Sequence, residues 1–365
     1  MIKVKHWSPL FLMANLTCLL SFPVFSSCVT QWTDYVIMTK IGQNNEQIWL
    51  ANIHHDDYMN EIIALGGFSR DHYFADWANK KYFNNNKVVA VPQDFNEACI
   101  SFNYQSPTGV PMYARNFDIG ANVPAIVVLN QSKIGYRYIA NTTYTFFTDP
   151  IPTTAGEIAN VAKISGYVPL DGMNEKGLCV SMNNYQFSSS APKYLNQNYP
   201  NRVDMTITIL FKYLLQNAST VNEAIGLINQ VNVHDNLQLS GNNNHIQIAD
   251  RNHNSVIVEF NDDEQQSIRL IHPRANEKFL INENFTYDFP EAQWSTVKNN
   301  NPRYATAYNA LSTNNGVLDN GMNLLAQCKQ NNYTTWSVIY NMKELSVDYI
   351  WNSQFNQAPH RFYLQ

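Results

Sequence analysis

The chain has 365 residues, 45% of them apolar and 13% aromatic, with 24 basic against 29 acidic side chains and a net charge of −5. This composition argues against disorder, and the lack of any Lys/Arg block beyond the first residues argues against nucleic acid or an anionic membrane surface as a partner. The length suits one large domain or two small ones with a substantial core.

Residues 1–27 carry Lys3 and Lys5, an apolar run from Pro9 to Phe25, and small Ser26 and Ser27 ahead of Cys28. This pattern is that of a secretory signal peptide, so a secreted or periplasmic location is expected. Asn15, Thr17 and Pro23 interrupt the run, which is also short for a span, so stable membrane insertion is not expected. From Thr30 to Ala98 the chain is foldable, with apolar residues at helical spacing over Gln47 to Ile53, Tyr58 to Leu65 and Tyr73 to Phe83.

Cys99-Ile100-Ser101-Phe102-Asn103-Tyr104 alternates polar and apolar residues as a strand does, and Val110 to Asp118 forms its return partner across the Ser106-Pro107-Thr108-Gly109 turn. Such a hairpin brings Arg115 and Asp118 back beside Cys99. A guanidinium there favours the thiolate over the thiol, whose ordinary pKa is about 8.5, and a carboxylate there holds a neighbouring amine or thiol. This layout resembles that of an N-terminal-nucleophile amidase. Residues 28–98 are then a prosegment or a small amino-terminal subunit, and 99–365 the catalytic domain.

Strand-like runs follow at Ala125 to Asn130, Lys133 to Ala140, Gly177 to Asn183, His245 to Ala249, Ser255 to Phe260, Ser267 to Ile271 and Lys278 to Ile281. Between them Val203, Ile207, Leu210, Phe211, Leu214 and Leu215 share one face of a predicted helix. A second helix is predicted over Thr220 to Gln230, with Thr220 as N-cap and Glu223 completing a capping box. Helices are also expected at Pro302 to Leu311 and Leu318 to Gln330, and strands at Thr335 to Tyr340 and Leu345 to Trp351. Strands in blocks and helices in blocks predict an α+β layered fold with antiparallel sheets. If Cys99 stays a free thiol, at most one disulfide forms among Cys28, Cys179 and Cys328. The histidines, such as His54-His55, lack metal-ligand spacing with a carboxylate, so neither a metal nor another cofactor is expected.

Cys99, Tyr113-Ala114-Arg115-Asn116-Phe117-Asp118, Gly172-Met173-Asn174-Glu175-Lys176-Gly177-Leu178, His245 to Asp250 leading to Val256-Ile257-Val258-Glu259, and Thr335 to Tyr340 together resemble the choloylglycine hydrolase and penicillin V acylase family. Gly166-Tyr167-Val168 and the long segment before the cysteine resemble its acid ceramidase and N-acylethanolamine acid amidase branch, in which that segment is kept as a small subunit. The resemblance implies a four-layer αββα Ntn-hydrolase sandwich and hydrolysis of linear amide C–N bonds in small-molecule N-acyl substrates, after self-cleavage frees Cys99. It assigns Cys99 as nucleophile, Arg115 and Asp118 as its partners, and Asn184 as oxyanion donor with Asn183 competing. It further assigns Asn282, where Ile281 replaces the family's threonine, and Arg303 in Pro302-Arg303-Tyr304. Tyr185 and Phe187 are expected to line the substrate pocket. The rival expectation is a secreted binding protein on an inactive amidase scaffold. The oligomeric state, including a homo-oligomer, stays open.

Overall fold

Alternation along one strand sets the layering. Ser101 turns inward, where its hydroxyl donates to Gln247 Oε1 of a second sheet at 2.7 Å, while Ile100, Phe102 and Tyr104 turn outward into a helix-covered core. The computed structural model of the chain describes residues 35–55, 57–86, 89, 98–146, 154–185, 195–235, 243–331 and 333–364. The expected signal peptide, Cys28 and Phe187 lie outside these.

The nine-stranded sheet runs, edge to edge, through β1 (Tyr35–Lys40), β2 (Ile48–His54), β5 (Ala125–Asn130), β6 (Tyr138–Thr143), β7 (Asp171–Asn174), β8 (Cys179–Tyr185), β12 (Asn243–Ala249), β13 (Ser255–Phe260) and β14 (Ile268–Ile271). The six-stranded sheet runs β15 (Ile281–Glu283), β3 (Ile100–Gln105), β4 (Pro111–Asp118), β16 (Thr334–Asn341), β17 (Ser346–Trp351) and β18 (His360–Tyr363). Its pairings are all antiparallel, and in the larger sheet only β2 with β5 is parallel. A small third sheet joins β9 (Leu195–Asn196), β10 (Val203–Thr206) and β11 (Val231–Asp235). Helices α3 (Ala155–Ser165), α4 (Ile207–Asn217) and α5 (Val221–Ile228) pack on the larger sheet, and α7 (Pro302–Thr313) and α8 (Gly321–Gln327) on the smaller, with α6 (Trp294–Asn300) leading into α7. With α1 (Met59–Ala64) and α2 (Asp71–Tyr82) ahead of the hairpin, this is the four-layer αββα arrangement. Among the described residues no helix is long and apolar enough to cross a membrane.

Two predicted strands start late, β6 at Tyr138 rather than Lys133 and β15 at Ile281 rather than Lys278, and two further segments depart from the type their periodicity predicted. Ile48–His54 is a strand between β1 and β5, where helical spacing predicted a helix. Val203–Thr206 is a strand, and the helix begins only at Ile207, because Val203 to Thr206 pair with β11. In both, sheet pairing outweighs a local pattern too short to settle the period. The N-cap half of the capping box holds, Thr220 Oγ1 accepting from Glu223 N, whereas the Glu223 carboxylate accepts from Ser219 N. The described cysteines Cys99, Cys179 and Cys328 are all buried, and none of them is in a disulfide.

The segment before Cys99 is built into these layers. β2 pairs in register with β5 from Ile48↔Ala125 to Ile53↔Asn130, and Phe68 N donates to the Asp204 carbonyl of β10 at 2.8 Å. The approach at Gly67 admits only glycine, since φ is +80° and a Cβ would meet that carbonyl oxygen at 1.8 Å. Asp57 meets the fully buried Lys212 of α4 at 2.8 Å. Burial opposes both charges, yet mutual attraction wins, lowering the Asp57 pKa and raising that of Lys212. Asp57→Asn leaves the ammonium buried without its counter-charge, so a loss of about 3 kcal/mol or more is expected in urea unfolding midpoints; a wild-type midpoint would show that the pair does not anchor the segment.

Candidate active site

The β3–β4 register sets Ser101 opposite Arg115 and Ile100 opposite Asn116. Cys99 and Arg115 therefore lie on the inward face as diagonal neighbours, and Arg115 Nη2 reaches Cys99 Sγ at 3.5 Å. Both residues are completely buried. Arg115 also donates to the carbonyls of Leu170 and Met182 and pairs with Asp171 at 2.8 Å. Burial works against the Arg115 charge, but the Cys99 sulfur and the Asp171 carboxylate outweigh it and hold the guanidinium protonated.

Asp171 was not anticipated, although it stands immediately before the Gly172-to-Leu178 motif. Besides the arginine it accepts from Asn141 Nδ2 at 2.7 Å, Trp336 Nε1 at 3.0 Å and the Tyr340 hydroxyl. These donors come from β6 and β16, so one carboxylate ties the two sheets together behind the sulfur.

On the other side stands Arg303, near the start of α7, where Pro302 at the first helical position fixes the entry. Arg303 Nη1 donates to the Ala98 carbonyl at 2.6 Å and to Asp118 Oδ2 at 2.8 Å. Its Nη2 reaches the Cys99 carbonyl at 3.4 Å, Asn284 Oδ1 at 3.1 Å and the Glu283 carboxylate. Ala98 N in turn donates to the Asp118 carbonyl at 3.1 Å. Glu283 is a second unanticipated partner, next to Asn282 in a run whose register to β3 only the structure shows.

Asp118 is fully buried, with Oδ1 unpartnered among the described residues. Burial raises its pKa to about 7, although the Arg303 guanidinium pulls the other way. That charge is divided between two carboxylates, and the desolvation of a sealed carboxyl prevails.

Asn282 pairs with Ser101, which sets it diagonally beside Cys99 on β15. Its Oδ1 and Nδ2 are both buried without a partner among the described residues. A sealed amide with neither group satisfied costs about 1–3 kcal/mol per group, and such groups are rare in folded proteins.

Asn183 and Asn184 are separated by strand alternation. Asn183 faces β15 and donates to the Asn282 carbonyl at 2.9 Å, whereas Asn184 pairs with Asn244, whose amide turns the other way to Asp235. The Asn184 side chain thus belongs to the face opposite Cys99. Tyr185 was expected at a pocket wall; it is 2% exposed, its ring stacks on His245 at 4.9 Å and its hydroxyl donates to the Phe260 carbonyl. An open cleft of about 690 Å³ lined by Ala121, Pro302, Arg303, Lys329, Gln330, Asn331 and Tyr333 leads down to the guanidinium.

A sealed thiol beside a fixed cation, a carboxyl with a spare oxygen and an unsatisfied amide suit nucleophilic attack on a carbonyl. Since the folded pKa of Asp118 lies above its ordinary 3.8, the folded state retains a proton that the unfolded chain releases as pH rises between these values. Stability from that proton is complete at low pH and declines towards about pH 7. Wild type is expected to lose stability relative to Asp118→Asn over that window in denaturant midpoints, while parallel curves would show an Asp118 ionised throughout.

A family model described as linear amide C–N hydrolases, choloylglycine hydrolase family, matches residues 99–305, more than half of the chain. Among curated proteins none matches. Of solved structures, a mutant of conjugated bile acid hydrolase from Clostridium perfringens is similar at 14% identity, covering 73% of this chain and 92% of its own, with a TM-score of 0.49. Penicillin V acylase from Agrobacterium tumefaciens is similar at 16% identity, with 72% and 85% covered and a TM-score of 0.47. The Caenorhabditis elegans ortholog of N-acylethanolamine-hydrolyzing acid amidase is similar at 17% identity, with 73% and 100% covered and a TM-score of 0.45.

Proposed function

The chain belongs to the choloylglycine hydrolase family of linear amide C–N hydrolases, and from that premise we propose that it is a secreted cysteine amidase that first frees Cys99 by cutting its own Ala98–Cys99 peptide and then hydrolyses N-acyl compounds. One observation carries the reading. The Cys99 sulfur is completely buried yet lies 3.5 Å from a fixed guanidinium, with its own preceding peptide gripped alongside. No outside amide reaches a sealed sulfur, so the first carbonyl open to attack is the chain's own.

Release of Cys99 creates an α-amine with an ordinary pKa of about 7.7–8.0, which serves as general base for its own thiol. The spare Asp118 Oδ1 is the acceptor that holds this amine. Arg115 stabilises the thiolate. In turnover the sulfur attacks the substrate carbonyl, and Asn282 Nδ2, rather than Asn184, donates to the oxyanion. The amine proton passes to the leaving nitrogen, and water then clears the thioester.

The amino-terminal segment stays bound after the cut as a small subunit. In support, β2 completes the larger sheet and Asp57 satisfies Lys212.

Intact-mass analysis of purified protein is expected to show two pieces that separate at Ala98–Cys99, and Cys99→Ala to abolish both the break and turnover of a panel of bile-salt, penicillin V, acyl homoserine lactone, N-acylethanolamine and ceramide amides. An unbroken wild-type chain inert to the whole panel would sink the proposal in favour of a binding protein. Asn282→Ala, once matured, is expected to lower kcat by about 10²–10³ with KM little changed; an unaltered kcat would remove Asn282 from the oxyanion site.

A further inference from the structure

Arg303 is tied to more than the carboxylates that neutralise it. Its Nη1 donates to the Ala98 carbonyl oxygen at 2.6 Å, and its Nη2 reaches the Cys99 carbonyl at 3.4 Å. One planar guanidinium therefore touches the carbonyls on both sides of the Cys99 α-carbon, and the Ala98 N–H is fixed independently by Asp118 O at 3.1 Å. The far ends of the fork are held by Asp118, Glu283 and Asn284, and the side chain is 15% exposed. A rigid charged donor aimed at one backbone oxygen is what a developing oxyanion requires. Asn282, with an amide unsatisfied in the same structure, is available for a different oxygen.

We propose that Arg303 is the electrophilic clamp of self-cleavage, polarising the Ala98 carbonyl so that Cys99 can attack it, and that the protein uses two separate oxyanion devices, Arg303 for its own peptide and Asn282 for the substrate. The proposal rests on the self-cleaving amidase reading. The Cys99 sulfur forms a bond to the Ala98 carbonyl carbon, whose π electrons move onto the oxygen beneath Arg303 Nη1. As the carbonyl re-forms, the C–N bond breaks and the nitrogen takes the proton given up by the thiol. The resulting thioester is opened by water: a C–O bond forms, the C–S bond breaks, and Ala98 becomes a carboxylate while Cys99 regains its thiol. No oxidant or co-reactant other than water enters.

The test follows cleavage of the full chain by intact mass over time, for wild type, Arg303→Gln and Arg303→Lys, with and without hydroxylamine, which opens thioesters. Arg303→Gln is expected to slow the break at least about a hundred-fold, and hydroxylamine is expected not to restore it, because the barrier lies before the thioester. Arg303→Lys keeps a charge between Asp118 and Glu283 but loses the fork, so a fold equal to wild type by melting and a slowing of at least about ten-fold are expected. Wild-type cleavage in either variant, or rescue of Arg303→Gln by hydroxylamine, overturns the clamp and leaves the amidase reading standing. A wild-type chain that never breaks overturns that reading itself, and the clamp with it.

Discussion

Everything at the centre of this molecule depends on Arg115 and Asp171, two opposite charges with no exposure to solvent. A buried ion pair contributes little net stability, because desolvation consumes most of the Coulomb attraction. What it contributes here is placement. Asp171 sits on β7 of one sheet and Arg115 on β4 of the other, and Trp336 and Tyr340 of β16 donate to the same carboxylate. The two sheets are thus held in a fixed offset, and the guanidinium turns Nη2 towards Cys99 and the Met182 carbonyl. Placing a permanent cation against the sulfur is inseparable from stacking the layers.

A second constraint follows from the first. With the inward face committed to polar side chains, the interlayer space is a network of Ser101, Tyr113, Ser181, Asn183 and Gln247 linked by hydrogen bonds. Such networks fix a unique arrangement when every member is satisfied. Among the described residues the buried side-chain groups without a partner include both ends of the Asn282 amide and Asp118 Oδ1, together with Arg115 Nε and Asn141 Oδ1.

Much of this was legible in the sequence. The hairpin from Cys99 to Asp118 is local, so its alternation and Pro-Gly turn were enough to bring Arg115 to the sulfur. The helices with caps or long apolar faces, α4, α5 and α7, were also readable, apart from the ends of α4. Less was visible where partners are distant along the chain. Ile48–His54 became a strand because β1 and β5 flank it, and nothing within those residues announces such neighbours. Asp171 and Glu283 owe their roles to residues far away in sequence. The choice between Asn183 and Asn184 turned on the face of β8, which register alone decides. α3 was missed despite its signal: Thr154 accepts from Glu157 N, the same capping-box pattern that announced α5.

The seating of the amino-terminal segment has a further consequence. A cut at Ala98 would leave one hydrophobic core shared by two polypeptides, with β2 and Asp57 on the shorter and β5 and Lys212 on the longer. Folding of the unbroken chain is a unimolecular event, whereas reassembly of the severed pieces is a second-order encounter that depends on concentration. The mature form would then persist by slow escape rather than by reversible equilibrium, and heating would end its working life instead of pausing it.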